Sequence, residues 1–206
     1  MADIRLGGID IGESTGPYVI AEIGANHEND LDRARAMIRS ARAAGAHAVK
    51  FQAYRAERLA ARDSPAYWDT RVEPTPNQRG LFGKYDRFGA AEYRLLSECA
   101  ASEGIVFLAT PFDAEAVEYL DALVPFFKIA SADITNFPLL RQAAACGKPM
   151  VLSTGAAAIG EIEDALRAGG APELSNVSHL ESDEDSTPWT RNAKLPGFEA
   201  WRSASS

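Results

Sequence analysis

The chain has 206 residues, 46% hydrophobic and 24% charged, the balance of a folded globular protein rather than of a disordered or membrane-embedded one. Twenty-one Lys and Arg against 29 Asp and Glu leave a net charge of −8 with no basic run, which argues against a nucleic-acid surface or an anionic membrane as partner. No segment approaches the roughly 18 apolar residues of a membrane span, and MADIRLGGIDIGES lacks the basic-then-apolar order of an export signal, so a cytoplasmic protein is expected. Cys99 and Cys146 sit in apolar helical patterns without metal-ligand spacing and read as buried free thiols of a reducing compartment.

In chain order, residues 4–11 read as a preliminary strand or hairpin able to plug one end of a sheet. A repeating pattern follows, in which a short apolar run leads through a polar loop to an amphipathic stretch. Strands are predicted at 18–23, 48–52, 105–109, 126–129 and 150–153. Their helices are predicted at 31–44, 90–102, 114–123, 138–145 and 159–166. Residues 53–89, with Pro65, Pro74 and Pro76 and a cluster of aromatics, read as a long loop over one end of the sheet, and loops of that length are usually functional. The strands are brief and almost wholly apolar, as parallel strands covered on both faces are. Glycines at 45, 104 and 147 follow three of the helices, where a left-handed residue is wanted. After residue 170 the composition changes: seven of the last 36 residues are Ser and four of the five residues 181–185 are acidic. The prediction is therefore an α/β domain over 1–170 and an irregular, poorly ordered tail over 171–206.

Side-chain alternation carries the functional signal. In Ala48-Val-Lys-Phe-Gln52, a period of two puts Lys50 and Gln52 on one face and Val49 and Phe51 on the other; Lys128 opposes Phe127 and Ile129 in the same way. Two strands thus aim a lysine away from their helix-facing side, where an ammonium is costly unless it meets an anion. The alternative for either lysine is an edge position from which it snorkels into solvent. Hydroxyls and a glycine stand at the following strand ends, Thr110, Ser131, Ser153, Thr154 and Gly155, where α/β proteins bind ligands. Glu22 interrupts an apolar run and reads either as a general acid/base or as the structural partner of a nearby Lys. His27 reads as a hydrogen-bonded loop residue and His47 as structural.

Five strings, Ala21-Glu-Ile-Gly-Ala-Asn-His27, Ala46-His-Ala-Val-Lys-Phe-Gln52, Phe107-Leu-Ala-Thr-Pro-Phe-Asp113, Lys128-Ile-Ala-Ser-Ala-Asp133 and Leu152-Ser-Thr-Gly155, resemble in order and spacing the N-terminal half of the sialic acid synthase family. The resemblance implies a (β/α)8 TIM barrel that condenses phosphoenolpyruvate with an N-acylated amino sugar, such as N-acetylmannosamine, to a nine-carbon 2-keto acid sugar with the help of a divalent metal, Mn2+ or Mg2+. It places Lys50, Thr110, Lys128, Ser131, Ser153 and Gly155 around phosphoenolpyruvate, and Gln52 and Asp133 toward the sugar, the family often having Glu where this chain has Asp133. Glu22 falls beside the reacting carbons.

The departures from the family set further expectations. About five β-α units are predicted where the barrel needs eight, which implies an incomplete barrel. The family's later Ser-Asp-His-Thr and Glu-Arg-His motifs, which supply its two metal-binding histidines, do not occur, and His179 does not continue such a motif. A truncated or frameshifted synthase, inactive as this chain and self-associating through open sheet edges or as a homo-oligomer, is the expectation. The alternative is a catalytically silent half-barrel that binds a phosphorylated ligand or associates with another chain.

Overall fold

The structure, a computed structural model, describes residues 4–12, 15–155 and 157–170. Its first element is an antiparallel hairpin, β1 (Ile4–Leu6) and β2 (Ile9–Ile11), turned by Gly7 and Gly8. Gly7 has φ +57, and a side chain there would come within 2.8 Å of Val106 Cγ2, so the hairpin packs closely against the amino end of a later strand. The segment at 4–11 is therefore a hairpin below the sheet, as its sequence suggested.

Parallel strands alternating with helices follow: β3 (Ile20–Gly24), α1 (Leu31–Ala43), β4 (Ala48–Ala53), the short α2 (Ala56–Leu59) and α3 (Gln78–Phe82), α4 (Ala90–Glu103), β5 (Val106–Pro111), α5 (Ala114–Asp121), β6 (Phe127–Ile129), a 3-10 turn at Ser131–Asp133, α6 (Phe137–Ala145), β7 (Met150–Leu152) and α7 (Ile159–Ala168). The helices start where side chains can accept orphan backbone N–H groups. Asp30 caps α1 through Arg33 N at 2.9 Å, and Asp113 caps α5 through Ala116 N at 2.8 Å. Gly104 ends α4 at φ +69, a left-handed conformation that costs a side chain energy.

The core lies between strands and helices. Val49 and Phe51 of β4, with Ile38, Leu96, Leu120 and Leu140 from four helices, have 0% exposure. Each such side chain contributes about 1.5 to 3 kcal/mol on burial, which fixes the helix-facing side of β4 and leaves its opposite side to Lys50 and Gln52. In β4 the burial alternates as the sequence predicted, with Lys50 and Gln52 part-exposed between fully buried neighbours.

Several expectations are corrected in detail. The parallel strands form two ladders, β3-β4-β5 and β6-β7, rather than one sheet; β6 lies beside β5 without a shared ladder and spends its three residues on β7. The stretch 53–89 is not a bare loop: it contains α2 and α3, and Pro65 bridges to Asn77. Cys99 and Cys146 are half-buried rather than buried, Cys146 because it stands at the cap of α6 where the helix leaves the core. The predicted irregular tail, 171–206, and His179 lie outside the described residues.

Candidate functional site

Register in the three-stranded ladder brings the polar groups together. Glu22 pairs with Lys50 and Lys50 with Leu108, while Gln52 pairs with Thr110, so that Glu22, Lys50, Gln52 and Thr110 share the face turned away from the helices at the carboxyl ends of their strands. The Lys50 ammonium forms an ion pair with the Glu22 carboxylate and lies 3.5 Å from Thr110 Oγ1. The pair is asymmetric: the Lys50 side chain is 13% exposed and that of Glu22 48%. Thr110 is buried.

On the second ladder, Lys128 Nζ donates to Ser153 Oγ and, at 3.0 Å, to its neighbour's carbonyl, Ile129 O. Its pKa is lowered, first by burial and then by the positive charge of Lys50, with Glu22 opposing. The charge of Lys50 is thus felt at Lys128 although the two residues come from separate ladders. Ser131 opens the 3-10 turn after β6, and Gly155 lies against it: a side chain at Gly155 would stand 3.7 Å from Ser131 Oγ. The site thus gathers two lysines, one acid, three hydroxyls and a glycine at one end of the strands.

The two residues assigned to a sugar are less alike. Gln52 belongs to the cluster, its side chain beside Gly24. Asp133 is occupied within its own turn, where it accepts from Asn136 Nδ2 at 3.1 Å, and burial raises its pKa, with that hydrogen bond opposing. No hydrogen bond joins Asp133 to the other candidates among the described residues.

Both described histidines are structural. His27 is 1% exposed, stacks on Phe88 at 4.2 Å and accepts from Asn29 N through Nδ1 at 3.1 Å; burial lowers its pKa. His47 accepts from Val19 N through Nδ1 at 2.9 Å and stacks on Tyr18. The resemblance implies a divalent metal, but among the described residues no three His, Cys, Asp or Glu side chains converge as such an ion requires. These residues do not fit the ion.

Three supporting residues escaped the sequence reading. Gly24 sits at a register shift that follows Glu22 with φ +58, a conformation that strains any side chain, and a Cβ there would touch Glu22 Oε1 at 3.4 Å; a glycine inside a strand pattern is the signal that points to such a bulge. Tyr93 on α4 donates its hydroxyl to Gln52 O at 2.7 Å and so holds the end of β4; on an amphipathic helix it reads only as core. Asn29 spans two loops, with Nδ2 donating to Lys84 O at 2.6 Å and Oδ1 accepting from Arg87 N at 3.0 Å. Nothing in its sequence neighbourhood announces that reach.

A sequence profile of the NeuB family matches residues 37–182. The chain belongs to the NeuB family. Similar proteins include the human N-acetylneuraminate-9-phosphate synthase, 41% identical over 139 residues, which is 67% of this chain and 39% of that protein. The N,N'-diacetyllegionaminic acid synthase of Campylobacter jejuni is 39% identical over 152 residues, 72% of this chain and 45% of its own length. Among solved structures, the N-acetylneuraminic acid synthetase of Leptospira borgpetersenii in complex with citrate superimposes with a TM-score of 0.71 at 38% identity, over 82% of this chain and 55% of that one. The chain spans less than half the length of the curated relatives it matches. The NeuB profile takes in both lysines and the hydroxyl cluster, while Glu22 lies ahead of the matched span. No helix among the described residues is long and apolar enough to cross a membrane.

Proposed function

We propose that this NeuB-family chain carries the phosphoenolpyruvate-binding part of a sugar-acid synthase site within a partial (β/α)8 barrel. The reaction is the condensation of phosphoenolpyruvate with an N-acylated amino sugar of the N-acetylmannosamine kind to a nine-carbon 2-keto acid sugar. The observation that carries the reading is the placement of Lys50 and Lys128, with Thr110 and Ser153 on their ammonium groups, at the carboxyl ends of β4 and β6, the two strands that flank β5. Two cations on one face, only one of them paired with an acid, suit a small ligand bearing two anionic groups, such as a phosphate and a carboxylate.

In this reading Lys50, Thr110, Lys128, Ser131, Ser153 and Gly155 hold phosphoenolpyruvate, and Gln52 and Asp133 face the sugar. C3 of phosphoenolpyruvate forms the new bond to the sugar's aldehyde carbon, whose oxygen takes up a proton. Water adds at C2, and the C–O bond to phosphate breaks as phosphate leaves. Glu22, half-exposed beside Lys50, is placed to accept the proton of that water. A divalent metal is part of the family expectation, and the described residues gather no group of side chains that would hold it. Cytoplasmic location and self-association along the outer edges of β3 and β7 complete the proposal.

Titration calorimetry of the purified chain with phosphoenolpyruvate, followed by phosphate release with a panel of N-acyl amino sugars and Mn2+ or Mg2+, tests it. Binding without turnover is the expected result for this chain alone and matches a silent, ligand-binding half-barrel. Absence of binding refutes the reading. Sugar-dependent phosphate release shows that the chain is a working synthase by itself.

A further inference from the structure

The site contains its own anion. In the structure Lys50, the more buried partner, spends its charge on Glu22, while Lys128 has only neutral acceptors, Ser153 Oγ and Ile129 O. A ligand that brings two anionic groups to this cluster needs both ammonium groups, and one of them is already taken. Glu22 can leave at little cost: its side chain is about half exposed, so its carboxylate regains water when the pair opens. Lys50 cannot follow, because its side chain is nearly enclosed and its strand is locked between β3 and β5. The exposed partner is therefore the mobile one.

We propose that Glu22 is a resident counter-ion that is displaced from Lys50 by the incoming ligand's carboxylate or phosphate, so that ligand capture and release of the Glu22 carboxylate are one event. The inference rests on the phosphoenolpyruvate reading above and adds to it the order of events at the site. Before capture, Glu22 spares the enclosed Lys50 from standing unpaired beside a second lysine. After capture, the same carboxylate is free, close to the bound ligand, and no longer neutralised by an ammonium group. A base that becomes available only when the ligand is in place does not act on an empty site. The backbone supports such a swing: the β3 ladder breaks its register between Glu22 and Gly24, so Glu22 sits at the last regular pair before the bulge.

The test is calorimetric binding of phosphoenolpyruvate, and separately of inorganic phosphate, to the full chain and to Glu22→Gln, Glu22→Asp and Lys50→Met, with circular dichroism and thermal melts to show that each variant is folded. If Glu22 competes with the ligand, Glu22→Gln binds phosphoenolpyruvate about 2- to 5-fold more tightly, the factor that loss of a competing ion pair of about 0.4 to 1 kcal/mol produces. Glu22→Asp, which keeps the charge on a shorter arm, falls between, and Lys50→Met loses affinity. Equal or weaker binding by a folded Glu22→Gln, with Lys50→Met still defective, overturns the counter-ion proposal and leaves the phosphoenolpyruvate reading standing. Failure of every folded form to bind either anion overturns both.

Discussion

Replacing Lys128 with Met separates what the residue does for the fold from what it does for a ligand. Met keeps an unbranched apolar stem of similar length and removes the charge. In the unliganded protein that charge has no acid within ion-pair distance among the described residues, only Ile129 O at 3.0 Å and Ser153 Oγ, and it faces the repulsion of Lys50. Burial and Lys50 both lower its pKa, so the unfolded chain holds this proton more tightly than the fold does. The charged lysine therefore costs stability at neutral pH, and that cost fades as pH rises through the folded value toward the ordinary lysine value. Lys128→Met is expected to be at least as stable as the native chain in urea at pH 7, with its advantage shrinking under alkaline conditions. Ligand binding is expected to move the other way. Truncating one partner of a buried, hydrogen-bonded charge pair costs about 2 to 5 kcal/mol, and for a half-buried lysine the lower part of that range corresponds to roughly a hundredfold loss of affinity for phosphoenolpyruvate. Lys128→Ala is expected to lose at least as much. Unchanged affinity by calorimetry in a folded variant would remove Lys128 from the clamp and refute the convergence argument, whereas a clear loss of stability at pH 7 would refute the account of its charge.

Other substitutions test the supports of the site. His27 is held neutral by burial, so the chain is expected to lose stability as pH falls below the ordinary histidine value of 6.5 toward the lowered folded value, and His27→Gln is expected to flatten that dependence in urea midpoints measured at pH 7.5 and 5.0. Gly104→Ala meets no neighbour within 4 Å but inherits φ +69, and a loss of about 1 kcal/mol in urea unfolding is expected from backbone strain alone. Tyr93→Phe keeps the aromatic packing and leaves Gln52 O without its donor; a loss of about 1 kcal/mol in stability, with phosphoenolpyruvate affinity unchanged in calorimetry, is the expected outcome.

The two lysines were legible because a strand has an exact period: once Val49, Phe51, Phe127 and Ile129 are recognised as core, Lys50 and Lys128 have nowhere to point but the other face. The strands and helices were legible for a related reason, since short apolar runs and amphipathic stretches have different repeats. That Glu22 could pair with a lysine was legible, but which lysine was not, because the register between two strands is encoded in neither strand's own periodicity. Asp133 looked equivalent to Gln52 in the string, yet its turn gives it Asn136 as a partner, a local competition that only coordinates resolve. The gap between β5 and β6 was equally hidden, because apolar runs predict strands without saying which ladders close.

The two-ended grip of Asn29 ties the rim together. Its amide joins the turn after β3, where Glu28 and Asn29 adopt φ of 52 and 62, to the backbone of residues 84–87 at the far end of the long connection after β4. Two segments more than fifty positions apart in the chain are thereby tethered through one side chain. Hydrogen exchange at Arg87 N, which donates to Asn29, should then report on fluctuations of the turn that carries His27, and cutting the tether by Asn29→Ala should raise exchange on both sides at once. Slow breathing at this margin would be a single collective motion, with Asn29 as its axle.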